Sequence, residues 1–256
     1  MPRRFGENYG VRRLCGLASH AADQQFGIRM RASPLVESFT GKESSRGMNL
    51  NPTSSTPSGE PGPQGKIRVL NLGCGLVKRE FPEAPRASEV IGIDISRQSN
   101  ADLHHDLNQF PYPLDTDSFD LIIMQDILEH LDDVPRVMRE VHRIARDGAL
   151  VRIRTPHYSS HYAYNDPTHR QLFGALVLDG FDASRPNSLY GGPWFHFVKR
   201  QILFPRIWRM TGVAALANWF PARWEQLFAF IFRAENLLFE LRAVKQDERV
   251  ASADRQ

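Results

Sequence analysis

Two glycines and one acid are the first residues in this chain whose types and spacing could do chemistry. Asn71-Leu-Gly-Cys-Gly (71–75) closes one apolar run, and Asp94, 21 positions after Gly73, closes the next. Glycine reaches positive φ without steric cost and lets backbone N–H groups approach a ligand lying across strand ends. A carboxylate ending the following strand can accept hydrogen bonds from both hydroxyls of a ribose. Together these residues describe a cradle for a nucleoside-bearing cofactor. A second gathering runs from Thr155 to Arg170, with three histidines, three tyrosines, an aspartate and an arginine in sixteen residues. Histidine titrates near pH 6.5 and is a natural base. His157 and His161 are the first candidates and His169 the next. Asp166 would orient one of them, Arg170 would meet an anionic group, and Tyr158 and Tyr162 would border the substrate. The same stretch has a plain structural reading. Tyr162 and Tyr164 suit packing, and Asn165-Asp-Pro-Thr is turn chemistry that would cap a helix starting near His169. His157, His161, Asp166 and His169 are metal-ligand types, but they lack a recurring zinc spacing, so no metal is expected.

These residues need elements to hold them. Lys66–Leu72, Glu89–Asp94, Ala101–Leu107 (the weakest), Phe119–Met124 and Ala149–Thr155 have the composition of strands in a buried parallel sheet. Between the last two, Val134, Val137, Met138, Val141, Ile144 and Ala145 recur at helical spacing. Asp132 or Asp133 would cap this helix, Pro135 fits its first turn, and Gly148 would stop it. Strand, connection and strand repeated in this way predict an α/β sheet with crossovers, and they put the loop after Thr155 at the carboxyl edge where ligands bind. Further on, Phe195–Phe204 and Leu237–Lys245 look like late strands, with an apolar helical region from Gly212 to about Phe232 broken at Pro221. The glycine turn itself discriminates between cofactors. The third glycine of a dinucleotide fingerprint would fall at Lys78, where close helix packing needs Gly or Ala, so NAD is disfavoured.

From Val69 to about His169 the chain resembles the small class I S-adenosylmethionine-dependent methyltransferases of the type 11 group, including those found with surface-polysaccharide genes. The resemblance rests on Leu-Asn-Leu-Gly-Cys-Gly (70–75), Gly-Ile-Asp-Ile (92–95), His-Asp-Leu (105–107), Asp-Ser-Phe-Asp-Leu-Ile (117–122), Leu-Glu-His-Leu (128–131) and Glu-Val-His-Arg-Ile-Ala-Arg-Asp-Gly-Ala (140–149). It implies a Rossmann-like, mostly parallel seven-stranded sheet with flanking helices and an antiparallel last strand. It also implies S-adenosyl-L-methionine as cofactor. Asn71, Gly73 and Gly75 would approach the methionine portion, and Asp94 with Ile95 the ribose. Asp106 would meet the adenine amino group with Leu107 beside the ring, while Gln125 and Asp126 would line the methionine end. Leu128 and Leu131 read as packing residues, and Glu129 and His130 are left open. Two departures stand out. Asn71 replaces a frequent acid, and Pro82 and Pro85, with the short link from Ser96 to Ala101, imply trimmed early helices.

The expected activity is methyl transfer to a small-molecule or glycan-type acceptor, by His-assisted in-line displacement at oxygen. The competing readings are a silent methyltransferase-like scaffold and, behind it, an NAD or nucleotide-sugar oxidoreductase. With 32 basic and 29 acidic residues, the net charge of +3 argues against a nucleic-acid partner. Only Cys15 and Cys74 occur, and no long apolar span is present, which together suggest a cytoplasmic protein. Residues 1–64 read as a disordered leader rich in Arg and then in Ser, Pro and Gly, with Met48 an alternative start. Residues 65–246 form the expected domain, and 247–256 a polar tail. The aromatic run Trp208, Trp219, Phe220, Trp224, Phe228, Phe230 and Phe232 reads mainly as core. Arg206, Arg209, Arg223 and Arg233 beside it leave weak membrane-surface contact as a minor option.

Overall fold

The computed structural model describes residues 67–76, 89–184 and 194–245. The expected leader, Lys78, the Pro82–Pro85 segment and the polar tail lie outside these residues. Seven strands form one sheet: β1 (Arg68–Leu72), β2 (Glu89–Asp94), β3 (Leu103–His104), β4 (Phe119–Gln125), β5 (Ala145–Pro156), β6 (Phe195–Leu203) and β7 (Asn236–Ala243). Their order is β3-β2-β1-β4-β5-β7-β6. The first five pair in parallel, and β7 runs antiparallel to both β5 and β6. The order reverses at β1, and an open parallel sheet binds its ligand at such a reversal, outside the carboxyl ends of the strands.

The central strands are apolar because both sheet faces are covered. Val69, Leu70 and Leu72 of β1 and Ile122 and Met124 of β4 are wholly buried. Helix α1 (Val134–Ile144) covers one face with Val137, Met138, Val141 and Ile144. Each such side chain contributes about 1.5–3 kcal/mol of transfer free energy. Asp133 caps it, accepting from the Arg136 N–H at 2.9 Å.

The helix ends earlier than its apolar pattern predicts. The carbonyls of Arg143 and Ile144 accept the N–H groups of Asp117 and Ser118 at 3.0 and 2.9 Å, so the chain leaves α1 extended and enters β5 at Ala145. Gly148, with φ +73°, therefore sits inside β5 and does not stop the helix. β3 is also shorter than expected, with Asp106 and Leu107 in the turn beyond it. The Asp102 carboxylate takes the Gly92 N–H at 2.8 Å in place of a ladder bond. The link from β2 to β3 carries no helix, in keeping with its length.

Two expectations in the second half need correction. The helix expected from His169 is absent; a single turn, α2 (Tyr162–Asn165), precedes that position. The apolar region forms α3 (Arg206–Met210), α4 (Val213–Trp219) and α5 (Pro221–Leu227). Of its aromatic residues only Trp224 is fully buried. Trp219, Phe220, Phe228 and Phe230 are exposed, because these short helices lie at the edge of the fold with one face uncovered.

One polar knot ties α1 to the segment between β3 and β4. Arg143 clasps Glu140 through Nε at 3.0 Å and Nη2 at 2.8 Å, and donates to the carbonyls of Leu114 and Tyr112. Glu140 also accepts the Tyr112 N–H at 2.8 Å. Burial alone would raise the Glu140 pKa. The bonds from Arg143 and Tyr112 outweigh it and hold the carboxyl below its ordinary value. A depressed carboxyl pKa stabilises the fold above the ordinary 4.5, and that stability is lost as pH falls through the folded value. Glu140→Gln is expected to lower Tm at neutral pH and to flatten the acid limb of the Tm–pH curve below about pH 4.5. Thermal melts by circular dichroism across that range check both effects.

Candidate functional site

Three strand ends meet at the reversal point. Past β1, Gly73 (φ +71°) and Gly75 (φ +55°) turn the chain, and the N–H groups of Gly73 and Cys74 donate to Ile93 O at 2.8 and 3.1 Å. A Cβ on Gly73 would lie 2.6 Å from Ile127 Cγ1, so the position needs glycine for space as well as for φ. Among the described residues, a Cβ on Gly75 would meet nothing within 4 Å. Asp94 at the end of β2 accepts the Gly75 N–H at 2.9 Å and the Ser96 N–H at 2.8 Å, one on each oxygen. These bonds fix the carboxylate and leave a lone pair on each oxygen for a further donor.

The other expected cofactor residues divide. Asn71 is buried within β1, and Ile95 is exposed beside Asp94. Asp106 accepts the Asn108 N–H at 3.0 Å from a half-buried position. Leu107 is buried, and its carbonyl accepts the Tyr112 hydroxyl at 2.9 Å. At the end of β4, Gln125 is half-buried, and Asp126 (φ +51°) forms an ion pair with Arg154 of β5. Its charge is thus already matched.

The loop after β5 splits its histidines between two jobs. His157 is wholly buried. Its Nδ1 accepts the Ser159 N–H at 3.1 Å, so Nε2 carries the proton and donates to Glu225 of α5 at 3.0 Å. With both nitrogens engaged it anchors the loop, and the expectation that it serves as a base is corrected on that ground. The Tyr158 hydroxyl donates to Glu225 O at 3.1 Å. His161 is exposed, against the half-buried Tyr162. Arg170 is exposed and paired with Asp132.

His169 turns the other way, toward two residues that sequence reasoning had left open. A 3-10 turn (Leu128–His130) follows Ile127 and carries Glu129 and His130. The N–H groups of Arg170 and Gln171 donate to the Glu129 carbonyl at 2.8 and 3.2 Å, which brings His169 alongside. The His169 and His130 rings are 4.6 Å apart, and His169 Nε2 is 4.0 Å from Glu129 Oε1. Glu129 is 2% exposed. Its Oε2 accepts the Thr155 hydroxyl at 3.0 Å, while Oε1 has no hydrogen-bond partner. Burial, helped by the Asp126 charge, pushes the Glu129 carboxyl up to about 8. Burial and the neighbouring His169 lower the His130 pKa. Asp166 takes no part as a direct orienter of a histidine. It accepts the Thr168 hydroxyl at 2.6 Å, and Thr168 in turn meets His130 Nδ1 at 3.0 Å.

A family described as a methyltransferase domain matches residues 36–222, and the chain belongs to it. S-Adenosylmethionine is its cofactor. Among solved structures, the chain is similar to a SAM-dependent methyltransferase from Archaeoglobus fulgidus, at 19% identity and TM-score 0.47 over 70% of this chain and 87% of that one. It is also similar to an S-adenosylmethionine-dependent methyltransferase from Mesorhizobium loti, at 20% identity and TM-score 0.43 over 70% and 91%. A third is the N-methyltransferase NodS from Bradyrhizobium japonicum WM9 in complex with S-adenosyl-L-homocysteine, at 13% identity and TM-score 0.43 over 70% and 79%. No curated protein matches. The residues present fit the cofactor. Gly73 and Gly75 turn the chain with positive φ, no described residue lies within 4 Å of a Cβ on Gly75, and Asp94 is fixed with acceptor capacity to spare.

Asp94 can be tested without removing its loop contacts entirely. Hydrogen bonds to a charged group are worth about 1.5–3 kcal/mol. Asp94→Asn is therefore expected to weaken S-adenosylhomocysteine binding about tenfold or more and Asp94→Ala further, read by isothermal titration calorimetry.

Proposed function

We propose that this chain transfers the methyl group of S-adenosylmethionine to a hydroxyl of a small-molecule or glycan-type acceptor, with imidazole assistance centred on His169. The observation that carries this reading is the Glu129–His130–His169 cluster. It lies one turn along the chain from Ile127, the residue packed against Gly73. When bound, the cofactor supplies an electrophilic methyl on a sulfonium. The chain's own residues have two tasks: to align the acceptor and to receive its proton. A hydroxyl is a poor nucleophile until its proton is removed, and a positioned base is worth about 10²–10⁴ in rate. His169 Nδ1 meets a carbonyl, Ala163 O, at 3.1 Å, so that nitrogen holds the proton and Nε2 keeps its lone pair. His161, exposed, is the second candidate. Residues 65–246 are the unit we assign to this activity, acting in the cytoplasm, in keeping with a buried Cys74 that is in no disulfide.

A second observation bears on where the acceptor is met. Trp219 is 77% exposed and Phe230 66%, with Ile207, Met210, Phe220 and Ile231 also exposed around them. Between Arg206 and Arg233 the only acid is Glu225, which turns inward to His157, while four arginines remain. An apolar surface carrying only positive charge suits contact with anionic lipid headgroups. Among the described residues, no helix is long and apolar enough to cross a membrane.

Calorimetry is expected to give one S-adenosylhomocysteine site and no NAD site; NAD binding alone would sink the reading. His169→Ala should retain S-adenosylhomocysteine binding and lower transfer of labelled methyl into cell-extract acceptors by about 10²-fold or more. Binding without transfer to any fraction points instead to a silent scaffold. In vesicle sedimentation the chain should bind phosphatidylserine-containing vesicles and not neutral ones. Trp219→Ala with Phe230→Ala should cut that binding about tenfold, and equal partitioning to both vesicle types would refute the lipid contact.

A further inference from the structure

The hydrogen bonds around His130 and His169 determine where their protons sit. The Thr168 hydroxyl has a single hydrogen and gives it to Asp166 Oδ1 at 2.6 Å, so its oxygen must accept from His130 Nδ1 at 3.0 Å. His169 Nδ1 faces only the Ala163 carbonyl, an acceptor, and must also donate. Both rings are thereby held as the tautomer with a bare Nε2. A ring whose distal N–H is held by a hydroxyl or carbonyl is the arrangement that orients a metal-ligating histidine. The third member, Glu129, is almost completely buried and leaves Oε1 without a donor. One ligand atom from each of Glu129, His130 and His169 lies within 4.8 Å of the others. A cation placed among these three acceptor atoms would satisfy all of them at once, including the buried Oε1 that has no partner among the described residues.

We infer that Glu129, His130 and His169 form a binding site for one divalent transition-metal ion of the zinc type. Two imidazoles and one carboxylate are the donor set that such ions prefer, whereas magnesium favours an all-oxygen shell. Donors bound at about 2.1 Å in a tetrahedral shell lie about 3.4 Å apart, so closing on the ion requires the farthest pair to draw in by up to roughly 1.4 Å, shared between two side chains. Three protein ligands leave a fourth position open, as catalytic rather than structural sites do. That the open position receives the acceptor's oxygen rests on the methyl-transfer reading above; with the ion bound, His169 Nε2 is a ligand and no longer the base, the ion would lower the pKa of the hydroxyl, and its proton would pass to solvent. Occupancy of the site does not rest on that reading.

The test uses the full chain, stripped with a chelator and titrated with zinc chloride alone and with magnesium chloride alone. One equivalent of zinc should bind, with no saturable magnesium binding. His169→Ala and His130→Ala should each weaken zinc about 100-fold, with S-adenosylhomocysteine binding retained as proof of fold. If either variant also loses S-adenosylhomocysteine, Thr168→Val carries the test. It leaves all three ligands in place, removes only the oxygen that orients His130, and should weaken zinc at least about tenfold. The absence of a stoichiometric zinc site, or zinc affinity unchanged in these variants, overturns the proposal. Failure of S-adenosylhomocysteine to bind the unaltered chain would instead overturn the methyl-transfer reading and leave the zinc result standing.

Discussion

The site depends on one steric constraint, the contact between Gly73 and Ile127. A side chain of any size at Gly73 would strike Ile127, with a Cβ only 2.6 Å away. The glycine turn after β1 and the chain leaving β4 are therefore pressed together at the point where strand order reverses. Ile127 is the last residue before the Leu128–His130 turn, so the same contact determines where Glu129 and His130 begin. The Thr155 hydroxyl then holds Glu129 from the end of β5. The glycine turn and the polar cluster are thus two sides of a single packing contact.

Charge is distributed around this point in a consistent way. Asp126 and Asp132, which flank the turn, are matched by Arg154 and Arg170, and Asp94 is saturated by backbone N–H groups on its inner side. Glu129 is the exception: it is buried, one of its oxygens has no partner among the described residues, and burial raises its carboxyl to about 8. A buried polar atom without a partner costs about 1–3 kcal/mol. It is tolerated most readily where function requires it. The neighbouring loop avoids that cost at His157, which uses both nitrogens to join β5 to α5.

Local chemistry was legible in the sequence, and long-range pairing was not. The β2 boundaries, a helix cap at Asp132 or Asp133 and the glycine turn followed from period, capping and φ preference, all properties of neighbouring residues; the structure makes Asp133 the cap. The antiparallel β7 came from the family resemblance, and pairing with both β5 and β6 bears it out. The early end of α1 was hidden because the bonds that take its last carbonyls come from Asp117 and Ser118, more than twenty residues upstream. His157 and His169 looked equivalent in a loop of mixed polar residues. What separates them is Glu225 on one side and Glu129 on the other, partners at separations of 68 and 40 positions. The aromatic run was misjudged for a related reason. Apolar periodicity predicts burial only where another element supplies the covering face, and α3 to α5 have one such face between them.

That uncovered face is not mechanically separate from the site. Trp224 and Glu225 occupy the inner side of α5, where Trp224 packs against His157 and Glu225 holds both the His157 ring and the Ala175 N–H. Tyr158, next in the loop, donates to Glu225 O and touches Phe230, which belongs to the exposed apolar surface. A displacement of α5 would therefore pass through two hydrogen bonds into the loop that ends at His169. The loop is pinned at its far end as well, where Arg170 and Gln171 bond the Glu129 carbonyl. The intervening residues are ordered too, by the single turn of α2 and the Thr168 N–H bond to Asp166. The apolar surface and His169 are thus joined by one short segment that is hydrogen-bonded at both ends, to α5 through His157 and Tyr158 and to the Glu129 carbonyl through Arg170 and Gln171.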